Sequence, residues 1–178
     1  MKKRFFYYLL ILSLLGGCAA PKTMRERVGP KEEKGVAPVI IDYYAAEVIR
    51  PGDSLRIYLH AKDDDGNIKY IICVLEQVGT TTYTSFTRVK RTQVQDITGY
   101  LLLRTPRDRN LTNDLFTMKV MVRDSQGNKS EPIEFPLRFG RESKLKIPEK
   151  WEKVSDYKLG TSSIKIESTF LRSQRGKG

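Results

Sequence analysis

In the stretch "SLRIYLHAKD" apolar and polar side chains change places at every step. Leu55, Ile57, Leu59 and Ala61 fall on one side, and Arg56, Tyr58, His60 and Lys62 on the other. A period of two is the signature of a strand with one face buried. "LFTMKVMVRD" repeats it, with Phe116, Met118, Val120 and Val122 inward and Thr117, Lys119, Met121 and Arg123 mostly outward; "PIEFPLRFG" does so with Ile133, Phe135, Leu137 and Phe139. Pro136 falls on the outward side of that last run, and proline cannot donate to a ladder, so an edge strand or an irregularity is expected there. The runs "IKYIICVLEQ", "TTYTSFTRVK" and "ITGYLLLRTP", preceded by "APVIIDYYAAEVI", complete a set of about seven strands within residues 36–140. The first of the seven has room in "YYAAEVI" for a bend or a switch between sheets. No window shows a convincing helical period. The expectation is an all-β chain folded as an antiparallel two-sheet sandwich.

The turns sharpen this. "PGDSLRIYLHAKDDDGNI" and, later, "FTMKVMVRDSQGNKSEPI" resemble the bacterial immunoglobulin-like and cadherin- or fibronectin-like modules of cell-envelope proteins. In those modules a strand ending A-x-D runs into a D-x-D-G turn, and the penultimate strand ends D-x-x-G-N. The resemblance covers residues 36–140 and implies a single immunoglobulin-like β-sandwich; it carries no ligand with it. The cysteine pair and tryptophan of antibody domains are missing, since the lone tryptophan, Trp151, falls beyond the strand-rich region. In such a sandwich the two acidic turns, Asp63, Asp64, Asp65, Gly66, Asn67 and Asp124, Ser125, Gln126, Gly127, Asn128, belong to the same end. Sets of Asp and Asn oxygens are what calcium requires. The first set does not complete an EF-hand loop, because Val74 stands where the closing Glu is needed. The adopted reading is turn chemistry: Asp and Asn accept from nearby backbone N–H groups while Gly supplies positive φ. No metal and no cofactor is expected.

The N-terminus has a different texture. Lys2, Lys3 and Arg4 precede a run from Phe5 to Leu15 that is apolar or aromatic except at Ser13. This is too short to span a bilayer, which takes about 20 apolar residues, but it fits the h-region of a signal peptide. Leu15-Gly16-Gly17-Cys18 then resembles the lipobox of bacterial lipoproteins. That resemblance implies diacylglycerol on the Cys18 thiol, removal of residues 1–17 and acylation of the new N-terminus. Two or three acyl chains anchor stably where one is marginal. Ala19 and Ala20 match the default outer-membrane signal of a Gram-negative organism, so the expected location is the cell envelope, facing the periplasm there. Residues 18–35, with two prolines and little apolar content, read as the lipidated cysteine and a flexible tether. The 17 residues after Cys18 reach roughly 55–60 Å at full extension.

Charge excludes one class. The formal charge of +11 invites a nucleic-acid reading, yet residues 36–140 hold 14 basic and 13 acidic side chains. The excess lies in the extensions, and an exported lipid-anchored chain is expected to have no nucleic-acid partner. Residues 141–178, with 10 basic and 5 acidic side chains, read as a basic C-terminal extension without enough apolar content for a core, partly disordered, with 172–178 disordered. Within it "SSIKIESTFL" is able to add a strand to a sheet edge, here or in a partner. Cys73 has no thiol to pair with except the lipidated one and reads as a small core hydrophobe.

No catalytic pattern is present: there is no G-x-S-x-G, P-loop or H-E-x-x-H, and the single histidine, His60, is on the outward side of its strand. The chain is therefore expected not to be an enzyme, with no catalytic and no metal residues and Cys18 as its lipidation site. The expected function is non-catalytic binding or scaffolding of an envelope protein through the sandwich and the basic tail. Two alternatives stay open. One is a peptidoglycan or glycan binder using outward tyrosines among Tyr43, Tyr44, Tyr58, Tyr70, Tyr83 and Tyr100, with Tyr58 and Tyr83 as the test positions. The other is a calcium-stabilised adhesive module.

Overall fold

The computed structural model describes residues 35–77, 81–90, 95–141 and 146–168. The signal peptide, Cys18, the tether as far as residue 34 and the final 172–178 lie outside the described residues. In chain order the elements are β1 (Val39–Ala45), β2 (Val48–Ile49), β3 (Ser54–Lys62), β4 (Ile68–Gln77), β5 (Thr82–Arg88), β6 (Asp96–Arg104), a 3-10 turn η1 (Arg109–Asn113), β7 (Leu115–Asp124), β8 (Ile133–Phe139), a single helical turn α1 (Glu149–Glu152) and β9 (Lys158–Ser163). No helix among the described residues is long and apolar enough to cross a membrane.

The strands form two sheets, one ordered β1-β3-β6-β9 and the other β2-β8-β7-β4-β5. The first three strands of the smaller sheet occupy the A, B and E places of an immunoglobulin-like sandwich, and β8-β7-β4 the G, F and C places. The fold is thus the expected all-β two-sheet sandwich, with nine described strands instead of seven. One extra strand arises because the first run does switch sheets: β1 pairs antiparallel with β3, and after residues 46 and 47 β2 pairs parallel with Arg138 and Phe139 of β8. The other is β9, parallel to β6. Two parallel pairings therefore interrupt an otherwise antiparallel architecture.

The alternating runs point as the period requires. Leu55, Ile57, Leu59 and Ala61 of β3 meet Phe116, Met118, Val120 and Val122 of β7 in one core, joined by Phe135, Leu137 and Phe139 of β8. Pro136 is opposite Thr117 on the β7 side, and β2 reaches only Arg138 and Phe139 on the other. The missing N–H of Pro136 therefore falls on an unpaired edge and costs no ladder bond. Cys73 is buried and free, and desolvation pushes its thiol up to about 12, which leaves it without the thiolate that reactivity needs.

The expected boundary at residue 140 is corrected. Residues 146–168 belong to the sandwich: β9 closes one edge of the smaller sheet, Ile164 and Ile166 enter the main core, and Trp151 is 3% exposed. The added strand is "KLGTSS", a few residues before the expected "SSIKIESTFL". Gly160 makes the seam possible, because a Cβ there would stand 2.3 Å from Cγ2 of Thr87 on β5. Three buried apolar residues suffice, of which Ile164 and Ile166 keep the period of two seen in "SSIKIESTFL" and Trp151 is placed by tertiary contacts alone.

Candidate functional site

Three surfaces compete for a functional role: the acidic turns and the outer faces of the two sheets. At the turns, the carboxylates work on backbone. Oδ1 of Asp124 accepts from the N–H groups of Gln126, Gly127 and Asn128 at 2.9, 2.6 and 2.8 Å, and Oδ2 accepts from Nδ2 of Asn128 at 2.8 Å. Asp63 repeats the arrangement on the N–H groups of Asp65 and Asn67. Gly66 (φ +64) and Gly127 (φ +111) supply the left-handed conformation each turn needs. The turns touch, as their topology requires: the Ser125 N–H donates to Oδ1 of Asn67 at 3.0 Å. The chain enters the fold here, with the Val36 N–H donating to Oδ2 of Asp65 at 2.8 Å. Burial, partly offset by those N–H donors, raises the Asp63 carboxyl above its ordinary value, and the nearby Asp124 carboxylate adds to the rise. Among the described residues no group of three or more His, Cys, Asp or Glu side chains is arranged to hold a metal ion.

The outer face of β1-β3-β6 is covered by the chain itself. Tyr58, expected outward, does point outward, yet it is fully buried because Trp151 of α1 lies on it with ring centroids 5.7 Å apart. Tyr44 and Tyr100 flank Tyr58 at 6.2 and 5.9 Å. The segment is tied down at its start by the Tyr44 hydroxyl, which donates to the Lys146 carbonyl at 2.6 Å, and by Lys150 Nζ, 2.6 Å from Oδ2 of Asp42. Tyr83 is also engaged internally, its hydroxyl 3.2 Å from the Glu167 carbonyl. Tyr43 stacks on Phe135 at 6.0 Å. Tyr44, Tyr58 and Tyr100 thus form one cross-strand row, and the two tyrosines that serve as glycan test positions, Tyr58 and Tyr83, are engaged by the C-terminal segment.

Along the lower rim of that face His60 Nε2 is 3.0 Å from Oδ1 of Asp96, whose other oxygen is 3.5 Å from Lys62 Nζ. Asp96 also lines a cleft of about 230 Å³ with Lys90, Thr98, Asp156, Tyr157 and Lys158. The lysines and aspartates there balance in number, which favours no sign of ligand.

The outer face of the larger sheet is different. Register places Phe86 of β5, Ile72 of β4 and Met121 of β7 in one cross-strand row on that face, with Val74 and Tyr70 on either side of Ile72 along β4. Ile72 is 3% exposed and Phe86 58% exposed. One end of the row is polar and self-satisfied: Lys119 Nζ is 3.1 Å from Glu76 and 3.2 Å from Glu134, and those bonds raise its pKa. The other end is cationic. Tyr70 lies under Arg123 and Lys69, 5.0 and 5.6 Å from the ring centre. The sequence held a signal for this row: "YIICVLEQ" is apolar on both sides of its alternation, and Phe86 sits on the polar side of "TYTSFTR".

No protein-family model matches this chain, and a search of curated proteins finds no match.

Proposed function

We propose that this chain is a non-catalytic binding module of a bacterial cell envelope, lipid-anchored through Cys18, that docks an envelope protein on the outer face of its five-stranded sheet. The observation that carries this reading is the row Phe86–Ile72–Met121, an apolar strip whose largest member stands 58% exposed. Apolar cores with aromatic and methionine side chains and a charged rim are the anatomy of protein interfaces. A partner suited to this face presents an apolar ridge, with carboxylates at the Tyr70 end to meet Arg123 and Lys69. The expected contacts were the sandwich and the basic tail; residues 146–168 of that tail are engaged with the protein's own sheets, which supports the sheet face as the docking surface.

The test is a cross-linked pull-down from intact cells with wild type, Cys18→Ala and Phe86→Ser, read by mass spectrometry. The reading expects a defined set of envelope proteins with wild type, and their loss with Phe86→Ser while the melting temperature stays unchanged. Cys18→Ala should shift the chain out of the membrane fraction. Retention of every partner by Phe86→Ser would remove the sheet face from consideration.

A further inference from the structure

The end of the sandwich opposite the acidic turns collects arginines from three separate connections. Arg50 follows β2. Arg104, at the tip of β6, is opposite Ser54; Arg107 lies against Gly52, where an added Cβ would stand 2.7 Å from its Cγ; and Arg109 opens η1. Arg138 is opposite both Val48 and Leu115, and Arg141 follows Gly140, whose N–H donates to the Ile49 carbonyl at 2.8 Å. Arg50 alone of the six has an ion pair among the described residues, with Asp53 at 3.4 Å. The acids nearby are largely committed: Asp108 accepts from the Asn110 N–H at the start of η1, and Asp114 is 9% exposed, while Glu47 stays exposed. The six cations named here are all arginine, although the connection after β8 also carries Lys146 farther along. Guanidinium forks match oxyanions bidentately, which an ammonium does not.

One more residue decides what kind of oxyanion. Leu115, directly beside Arg138 in the β7–β8 ladder, is 57% exposed. A soluble polyanion gives an exposed leucine nothing to contact, whereas a headgroup layer over acyl chains accepts both side chains at once. We propose that this arginine end docks on an anionic phospholipid surface, the guanidinium groups meeting phosphates and Leu115 entering the headgroup layer. The inference rests on the preceding reading in placing the chain at a membrane. Geometry permits it: the sandwich is about 33 Å long along a ten-residue strand, and the tether's reach of roughly 55–60 Å lets the far end return to the anchoring leaflet. The apolar strip then faces sideways, parallel to the membrane, where a neighbouring envelope protein can reach it.

The experiment uses a chain beginning at residue 19, which keeps every described residue and has no anchor. Its co-sedimentation is measured with phosphatidylglycerol/phosphatidylcholine vesicles, with phosphatidylcholine vesicles and with soluble polyphosphate. Binding is expected to the phosphatidylglycerol vesicles alone among the lipids, weakened by salt. The combined Arg104→Gln, Arg107→Gln, Arg109→Gln variant should lose about tenfold or more, each cation contributing near the surface. Leu115→Ser should weaken vesicle binding several-fold and leave polyphosphate binding untouched. Failure to bind the anionic vesicles overturns the proposal, and so does an equal response of vesicles and polyphosphate to Leu115→Ser, which would identify a soluble polyanion as the ligand. Phe86→Ser should bind vesicles like wild type; retention of the protein partners by that variant would overturn only the sheet-face reading, whereas failure of the wild-type chain to bind anionic vesicles would overturn only the present one.

Discussion

The two outer faces of this sandwich start from the same kind of residues and end in opposite states. Each carries aromatic side chains on strands whose alternation made them outward: Tyr44, Tyr58 and Tyr100 on one, Tyr70 and Phe86 on the other. On the first face the chain returns, lays Trp151 over Tyr58 and turns an outer surface into a small second core. On the second Phe86 is left 58% exposed. An outward aromatic is therefore a demand for a cover, and what distinguishes a structural face from a binding face is whether the same chain supplies it.

The largest effect should come from removing that cover. Trp151→Ala is expected to cost about 3–5 kcal/mol, the usual range for truncating a buried aromatic, read as a fall in the urea midpoint. A loss below about 0.5 kcal/mol, the level of an ordinary surface substitution, would mean that the first face tolerates exposure as well as the second does, and the contrast would collapse. A smaller loss sharpens it: Tyr44→Phe removes the bond to the Lys146 carbonyl and should cost about 1 kcal/mol, with faster proteolysis confined to the C-terminal segment. Proteolysis spread evenly over the chain would argue against a segment held at that point.

Next in size is a pH effect at the acidic turns, a region that belongs to neither face. The folded state holds the Asp63 proton more tightly than the unfolded chain does. As pH rises past the ordinary carboxylate value, the unfolded chain releases its proton first, so wild type loses stability until the raised pKa is passed and then levels off. Asp63→Asn lacks this titration, and wild type should therefore decline relative to the variant across that window in melting experiments. A constant difference with pH would refute it. The smallest stability effect is expected at Phe86, where Ser should change the unfolding free energy by under about 0.5 kcal/mol. A markedly larger loss would show that the bare face is structural after all.

Much of this was legible in the residues. The inward sets of β3, β7 and β8 follow from the period of two, Pro136 marks its own unpaired edge, and the D-x-D-G and D-x-x-G-N turns place two loops at one end. The C-terminal contribution was not legible. Trp151 stands alone among charged residues, Ile164 and Ile166 alternate at the strand period but over too few residues to announce a core, and β9 forms in "KLGTSS", where only Leu159 is strongly apolar. A parallel pairing with β6 depends on α1 carrying the chain across the sheet and on Gly160 passing close to Thr87, and neither is a local property. The surface row at Phe86 was half legible: the doubly apolar "YIICV" showed that both faces of β4 are greasy, but not which strands flank it.

By itself, the sequence determined which side of each strand a residue takes, because that depends only on the alternation of successive Cβ atoms along an extended backbone. It also determined the all-β class and the acceptor role of Asp63 and Asp124 in their turns, since those bonds close within a few residues. Only the tertiary structure decided which outward residues stay outward. Exposure depends on what part of the chain returns to lie over a face, and Trp151 is drawn there by the apolar surface it can cover on the assembled sheets, not by any pattern in its neighbours.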